Sequence, residues 1–188
     1  LLEDADGRIW VGVWGRGVNR VVGDAGSGRV TFVPYRHDPA NPSTVAVDDV
    51  NTLAQDRSGV IWVGTYGVGL SWFRASGRIS LTQYRHSPVD PGTLGDDRVH
   101  ALLVDRAGTT WIGTWGGLNV LRRGGDRFER LPASYLSDER VTSLTEAPDG
   151  SIWAGTLDGG ANRIDPATGR VDHVRAGQAF SGRGLSSD

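Results

Sequence analysis

Apolar residues along this chain fall in short alternating runs separated by glycine-rich turns, with almost no long stretch of helical period. That pattern predicts many short β-strands and little helix. The stretch from residue 50 to 84 shows it most clearly, with runs at 50–56, 60–65, 70–74 and 78–84 that are rich in β-branched and aromatic residues. Gly59 and Gly77 supply the positive φ that hairpin turns need at 57–59 and 75–77. Gly67 and Gly69 make a second permissive turn between the middle strands.

Aligning these runs exposes one pattern four times over, L-x-x-D-x-x-G-x-x-W-x-G-T, each copy followed by a glycine-rich turn. Its copies begin at Leu1, Leu53, Leu102 and Leu144 and carry Trp10, Trp62, Trp111 and Trp153. Two positions deviate: Val13 replaces the Thr, and Ala147 the Asp. The leading Leu recurs after 52, 49 and 42 residues, the length of a four-stranded propeller blade. The expected fold is therefore all-β, about four four-stranded antiparallel β-propeller blades with repeats at 1–52, 53–101, 102–143 and 144–188. Leu1 and Asp188 fall in matching phase of the repeat, so the chain is expected to be an in-register segment of a longer protein. Blades bury their faces only against neighbours, and no polar capping sequence stands at either end, so an arc of a larger propeller is favoured over a closed ring of four.

Composition narrows the chemistry. Twenty basic residues, all Arg, against 22 acidic ones leave a net charge of −2, so no excess positive charge is available for nucleic acid. Without Lys there is no Schiff-base or Walker-type lysine, and without Cys no disulfide, thiolate nucleophile or zinc-thiolate site. No window approaches the roughly 18 apolar residues of a membrane helix, so no membrane contact by this segment is expected. His37, His86, His100 and His173 have no metal-ligand spacing, and no cofactor or metal is expected.

Asp56 to Thr65 and Asp105 to Thr114 resemble the two-component regulator propeller repeat, D-x-x-G-x-[LIV]-W-[VI]-G-T-x-x-G-G-L, which is found in sensory ectodomains of bacterial hybrid histidine kinases and diguanylate cyclases. His37 to Val45 and His86 to Leu94 are similar to that family's linker, H-x-P-x-[DN]-P-x-[ST]-[LV]. The resemblance implies the periplasmic part of an inner-membrane receptor, non-catalytic in this segment, with its kinase or cyclase elsewhere in the full-length protein. It also implies adjacent blades and a downstream signalling domain as partners, and is compatible with a dimeric receptor. The Asp-box of sialidases fits poorly, because the position two before the turn glycine holds Ala5, Arg57 and Pro148 in three of the repeats. Streptogramin-lyase-like propellers share a similar blade, so the motif alone leaves a lyase or hydrolase open, as it does a protein-interaction platform.

The four repeated Trp residues are expected to pack between blades, each on the same strand face as the Gly two residues later. Asp4, Asp56 and Asp105 are expected to accept backbone N–H bonds in the following turn. Asn19, Asn119 and Asn162, with Ser71 in the remaining repeat, are expected to bond structurally rather than line a channel. Trp14, Tyr66 and Trp115 follow the G-T position in three blades, with Leu157 in the fourth. If strands run outward from the propeller axis, these rings share one face with Arg36, His37, Arg85 and His86 on the long connections. A small molecule or oligosaccharide is the ligand class those residues suit, through ring stacking and oriented hydrogen bonds.

Overall fold

A computed structural model describes residues 1–23, 29–38, 40, 44, 48–74 and 82–174. The predicted turn at 75–77, the start of the predicted strand at 78–84, most of the 37–45 linker and the phase match at Asp188 lie outside the described residues. Four antiparallel sheets follow one another along the chain, each with its strands in sequence order. The first contains β1 (Leu2–Glu3), β2 (Ile9–Val13), β3 (Gly17–Val22) and β4 (Thr31–Tyr35); the second β5 (Val50–Gln55), β6 (Val60–Thr65), β7 (Leu70–Arg74) and β8 (Thr82–Tyr84). The third contains β9 (Val99–Val104), β10 (Thr110–Thr114), β11 (Gly117–Leu121) and β12 (Phe128–Arg130); the fourth β13 (Val141–Glu146), β14 (Ile152–Thr156), β15 (Ala161–Ile164) and β16 (Val171–Val174). The one described helical turn, Ala133–Tyr135, is a short 3-10 element on the connection between the third and fourth sheets.

Each sheet is a propeller blade. First strands of successive blades pack together, β5 against β9 and β9 against β13, so strand order runs outward from that seam. The hydrophobic core divides into three clusters, one per blade interface: Trp10 with Val50 and Phe73, Trp62 with Val99 and Phe128, and Trp111 with Val141 and Ile164. The blades form an open arc rather than a closed ring.

The repeated W-x-G fits these interfaces by shape. A Cβ built on Gly12 would stand 2.5 Å from Val50 Cγ1, one on Gly64 2.6 Å from Val99 Cγ1, and one on Gly113 2.7 Å from Val141 Cγ1. The first valine of each blade thus sits in the gap left by the missing side chain of the blade before it, beside a buried indole. Trp10, Trp62 and Trp111 are buried as expected, whereas Trp153 is only half-buried, because no described blade covers its face.

The other motif letters have separate tasks. Asp4 accepts from the backbone N–H groups of Asp6 and Arg8 and from the Trp10 indole N–H at 2.7 Å, so it fixes both its turn and the core tryptophan. Asp56 and Asp105 repeat this with Trp62 and Trp111, at 3.4 and 2.8 Å. In blade four, where Ala147 replaces the Asp, Asp149 accepts from the Ser151 N–H and hydroxyl instead. The motif Thr hydroxyls of Thr65, Thr114 and Thr156 donate to the Gly69, Gly117 and Gly160 carbonyls, closing the turn between second and third strands. Asn119 accepts the Gly95 N–H and Asn162 the Ser137 N–H, each at 2.8 Å, and so each holds the connection that enters its own blade.

Trp111→Ala is expected to destabilise the arc by about 3–5 kcal/mol in urea unfolding, through a core cavity and loss of the Asp105 bond. Gly113→Ala should cost about 1–3 kcal/mol by overpacking, and combining it with Val141→Ala should cost less than the sum of the two changes.

Candidate functional site

One edge of the arc collects the turns between second and third strands together with the connections from each fourth strand to the next blade. Gly17 donates to the Asp48 carbonyl, Gly69 to the Asp97 carbonyl and Gly117 to the Glu139 carbonyl, at 2.9 Å each, so the turns of the first three blades are tied to the segment entering the next blade. The residue after the motif Thr is tied instead to the entry of its own blade: the N–H groups of Tyr66, Trp115 and Leu157 donate to the carbonyls of Asp49, Arg98 and Arg140.

This scaffold brings the three predicted rings into one line. Trp14 and Tyr66 lie 5.2 Å apart between centroids, and Tyr66 meets Trp115 edge-on at 5.8 Å. Trp14 is 57% exposed and Tyr66 36%, so the row is accessible from solvent. Leu157 continues it into the fourth blade as an exposed aliphatic side chain.

Two residues of the row escaped the sequence reading. His100 stacks on Trp115 at 5.2 Å and 5° between planes, and also meets Tyr66 edge-on at 5.9 Å. Arg98 also lies over the Trp115 ring, its guanidinium carbon 4.8 Å from the ring centroid. His100 arrives there through a β-bulge. Pairing of the first strand slips by one residue at Asn51, His100 and Thr142, leaving each of them outside the regular ladder of its blade. The bulge is written in the spacing: Val50 and Leu53, Val99 and Leu102, and Val141 and Leu144 join the same core cluster although they stand three apart, which strict alternation forbids.

The predicted Arg–His pairs lie on the same edge but serve its framework. His86 donates its backbone N–H to Asp97 Oδ1 at 2.6 Å, and its Nδ1 lies 2.7 Å from the Leu94 carbonyl. Arg85 reaches Asp97 Oδ2 at 3.3 Å. His37 makes the matching backbone bond to Asp48 at 2.8 Å, beside the exposed Arg36. It is His100 and Arg98 that flank Trp115.

Carboxylates orient the arginines. Arg98 donates through Nε to Asp96 at 2.8 Å, and Arg140 repeats the geometry on Asp138 while also reaching Asp158 at 2.7 Å. Burial pushes the Asp96 carboxyl up, but the Arg98 hydrogen bonds outweigh it and hold the group below its ordinary value. The hydrogen bonds from Arg140 bring Asp138 down to about 2. Burial, assisted by the Arg98 cation and opposed by Asp96, depresses the His100 pKa, keeping the ring neutral for its stack at pH 7. Among the described residues no group of three or more His, Asp or Glu side chains is placed to hold a metal ion.

Fold and edge together define a β-propeller segment with one ring-bearing edge. The family model described as two component regulator propeller matches residues 44–67, 93–116 and 135–158. Three stretches of the chain are thus two component regulator propeller repeats. Its fold matches the extracellular domain of BT3049 from B. thetaiotaomicron, a protein named as a hybrid two component system, with TM-score 0.76 and 22% identity over 93% of this chain. The match spans 24% of that much longer chain. PorZ, a surface component of the type-IX secretion system of Porphyromonas gingivalis, aligns with TM-score 0.64 and 14% identity over 92% of this chain and 26% of its own. Virginiamycin B lyase from Staphylococcus aureus gives 0.61 and 16% over 95% of this chain and 55% of its own. These likenesses concern the blade fold. No curated protein matches the chain in sequence.

NMR titration of His100 should give a midpoint below 6.5 that moves upward in Arg98→Gln, where a lowering cation is gone and the Asp96 charge remains. Because the folded value is depressed, the stability linked to His100 is complete above the unfolded value and falls as pH drops through it. Asp138 should titrate near 2 and return toward 3.8 in Arg140→Ala. Its contribution is present above the unfolded value and is lost as pH falls toward 2.

Proposed function

We propose that this segment belongs to the ligand-sensing, extracytoplasmic region of a bacterial signal-transduction receptor, and that it takes a carbohydrate or similar flat, hydroxyl-rich small molecule on the ring-bearing edge. The observation that carries this reading is the row Trp14–Tyr66–His100–Trp115, delivered by three successive blades and left partly open to solvent. The exposed Trp14 and Tyr66 rings offer flat apolar surface to sugar C–H faces, bordered by Trp115 with its flanking His100 and Arg98. Arg98, already oriented by Asp96, adds a fixed donor beside it.

The extracytoplasmic location draws on the repeat family and on the description of BT3049 as an extracellular domain. The segment itself carries no catalysis in this reading. A kinase or cyclase elsewhere in the whole protein would receive the signal, and a ligand can shift such a receptor only by binding one of its states more tightly than the other. The row spans several blades, so a ligand bound along it would favour one relative setting of those blades.

A glycan-binding screen on the complete ectodomain tests the ligand class. Trp14→Ala and Trp115→Ala should each weaken the selected glycan about 10-fold while leaving the far-UV spectrum and unfolding midpoint close to wild type. Unchanged affinity in both variants would remove the ring-bearing edge from the reading.

A further inference from the structure

The opposite edge of the arc carries a concavity of different chemistry from the ring row. A cleft of about 610 Å³, within the size range of small-molecule sites, opens between blades two and three. It lies among the described turns at 56–59, 105–109 and 122–127, at the far end of the strands from Tyr66 and Trp115. Its base is aromatic. Trp62 is buried there, and the half-buried Trp72 and Tyr84 each lie 6.3 Å from it between centroids.

Arg57, Arg74, Arg122 and Arg123 line the same cleft, with Asp56 the acidic residue among its lining. Asp56 is already committed to the Ser58 and Val60 N–H groups and to the Trp62 indole. Arg74 is steered by the Ser58 carbonyl at 3.0 Å, and Arg122 forks onto Glu129 at 3.1 and 3.2 Å. Among the described residues Arg57 and Arg123 have no hydrogen-bond or ion-pair partner, and both are exposed. The Arg123 stem lies along Gly108, where an added Cβ would stand 3.2 Å from its Cδ, so its free guanidinium is laid at the rim. A protein of net charge −2 thus gathers an excess of cations around one aromatic floor.

We propose that this cleft is a binding site for an organic anion with a flat apolar body, an aromatic carboxylate or sulfonate, whose ring lies against Trp72 and Tyr84 and whose anionic head is forked by Arg57 and Arg123. A bare inorganic anion would leave the aromatic floor unused. A neutral ring would leave two guanidinium groups without an acceptor. The site is separate in space from the ring-bearing edge, so it stands or falls independently of the sensing role given to that edge.

Calorimetric titration of 2-naphthoate into the whole protein at low salt tests it, with 2-naphthylmethanol as the neutral ring of the same size. The carboxylate should bind at least about 10-fold more tightly than the alcohol, and the preference should shrink as salt is raised. The double variant Arg57→Gln/Arg123→Gln, at exposed positions that leave folding intact, should lose about 10-fold in naphthoate affinity and most of its salt dependence. Trp72→Ala should weaken both compounds, and Trp14→Ala/Trp115→Ala should change neither. Absence of binding, equal binding of the alcohol, full affinity in the arginine double variant, or loss of binding in the Trp14/Trp115 variant would each overturn the proposal.

Discussion

The architecture depends on one contact made three times: the first valine of a blade seated on the glycine two residues after the previous blade's tryptophan. Gly12 receives Val50, Gly64 receives Val99 and Gly113 receives Val141. A sheet with one buried face cannot stand alone in water, and this fit lets adjacent sheets approach closely enough for the indole to close the remaining gap. Because the contact is between neighbours only, each interface has its own core cluster, and stability accumulates along the arc blade by blade.

The same contact sets the two edges of the arc. Once the glycine and tryptophan of β6 or β10 are fixed against the next blade, the residue two places past that glycine must emerge at the end of the strand, in the turn held by the motif threonine. Tyr66 and Trp115 emerge there, and Trp14 does so from blade one. At the other strand ends the repeated aspartate ties its turn to the indole, and the arginines of those turns surround the inter-blade cleft. One edge is a row of rings with an oriented guanidinium; the other is an aromatic hollow with free cations. The Arg–His pairs serve the first edge as framework, since Arg85 and His86 hold the entry to blade three through Asp97 and Leu94.

Much of this was legible in the chain. The four-fold pattern gave the blades, the strand order and the burial of Trp10, Trp62 and Trp111, because inter-blade packing demands the same residue at the same place in every unit. Glycine and aspartate marked the turns because backbone conformation there is a local matter. The position after the motif threonine placed Trp14, Tyr66 and Trp115 on one edge, since strand direction alone decides which end a turn occupies.

What only the tertiary structure decided was the company those residues keep. His100 stands on a first strand, and its place beside Trp115 depends on a bulge that re-aims one side chain; the three-residue spacing of Val99 and Leu102 records the bulge without naming its outcome. Arg98 reads as one of 20 arginines until the fold lays it over an indole from another part of its blade. The seat of valine on glycine and the arginine-lined cleft are likewise contacts between segments distant in the chain. Periodicity reports how one strand divides its faces, whereas distances between side chains from different blades exist only after the sheets have packed.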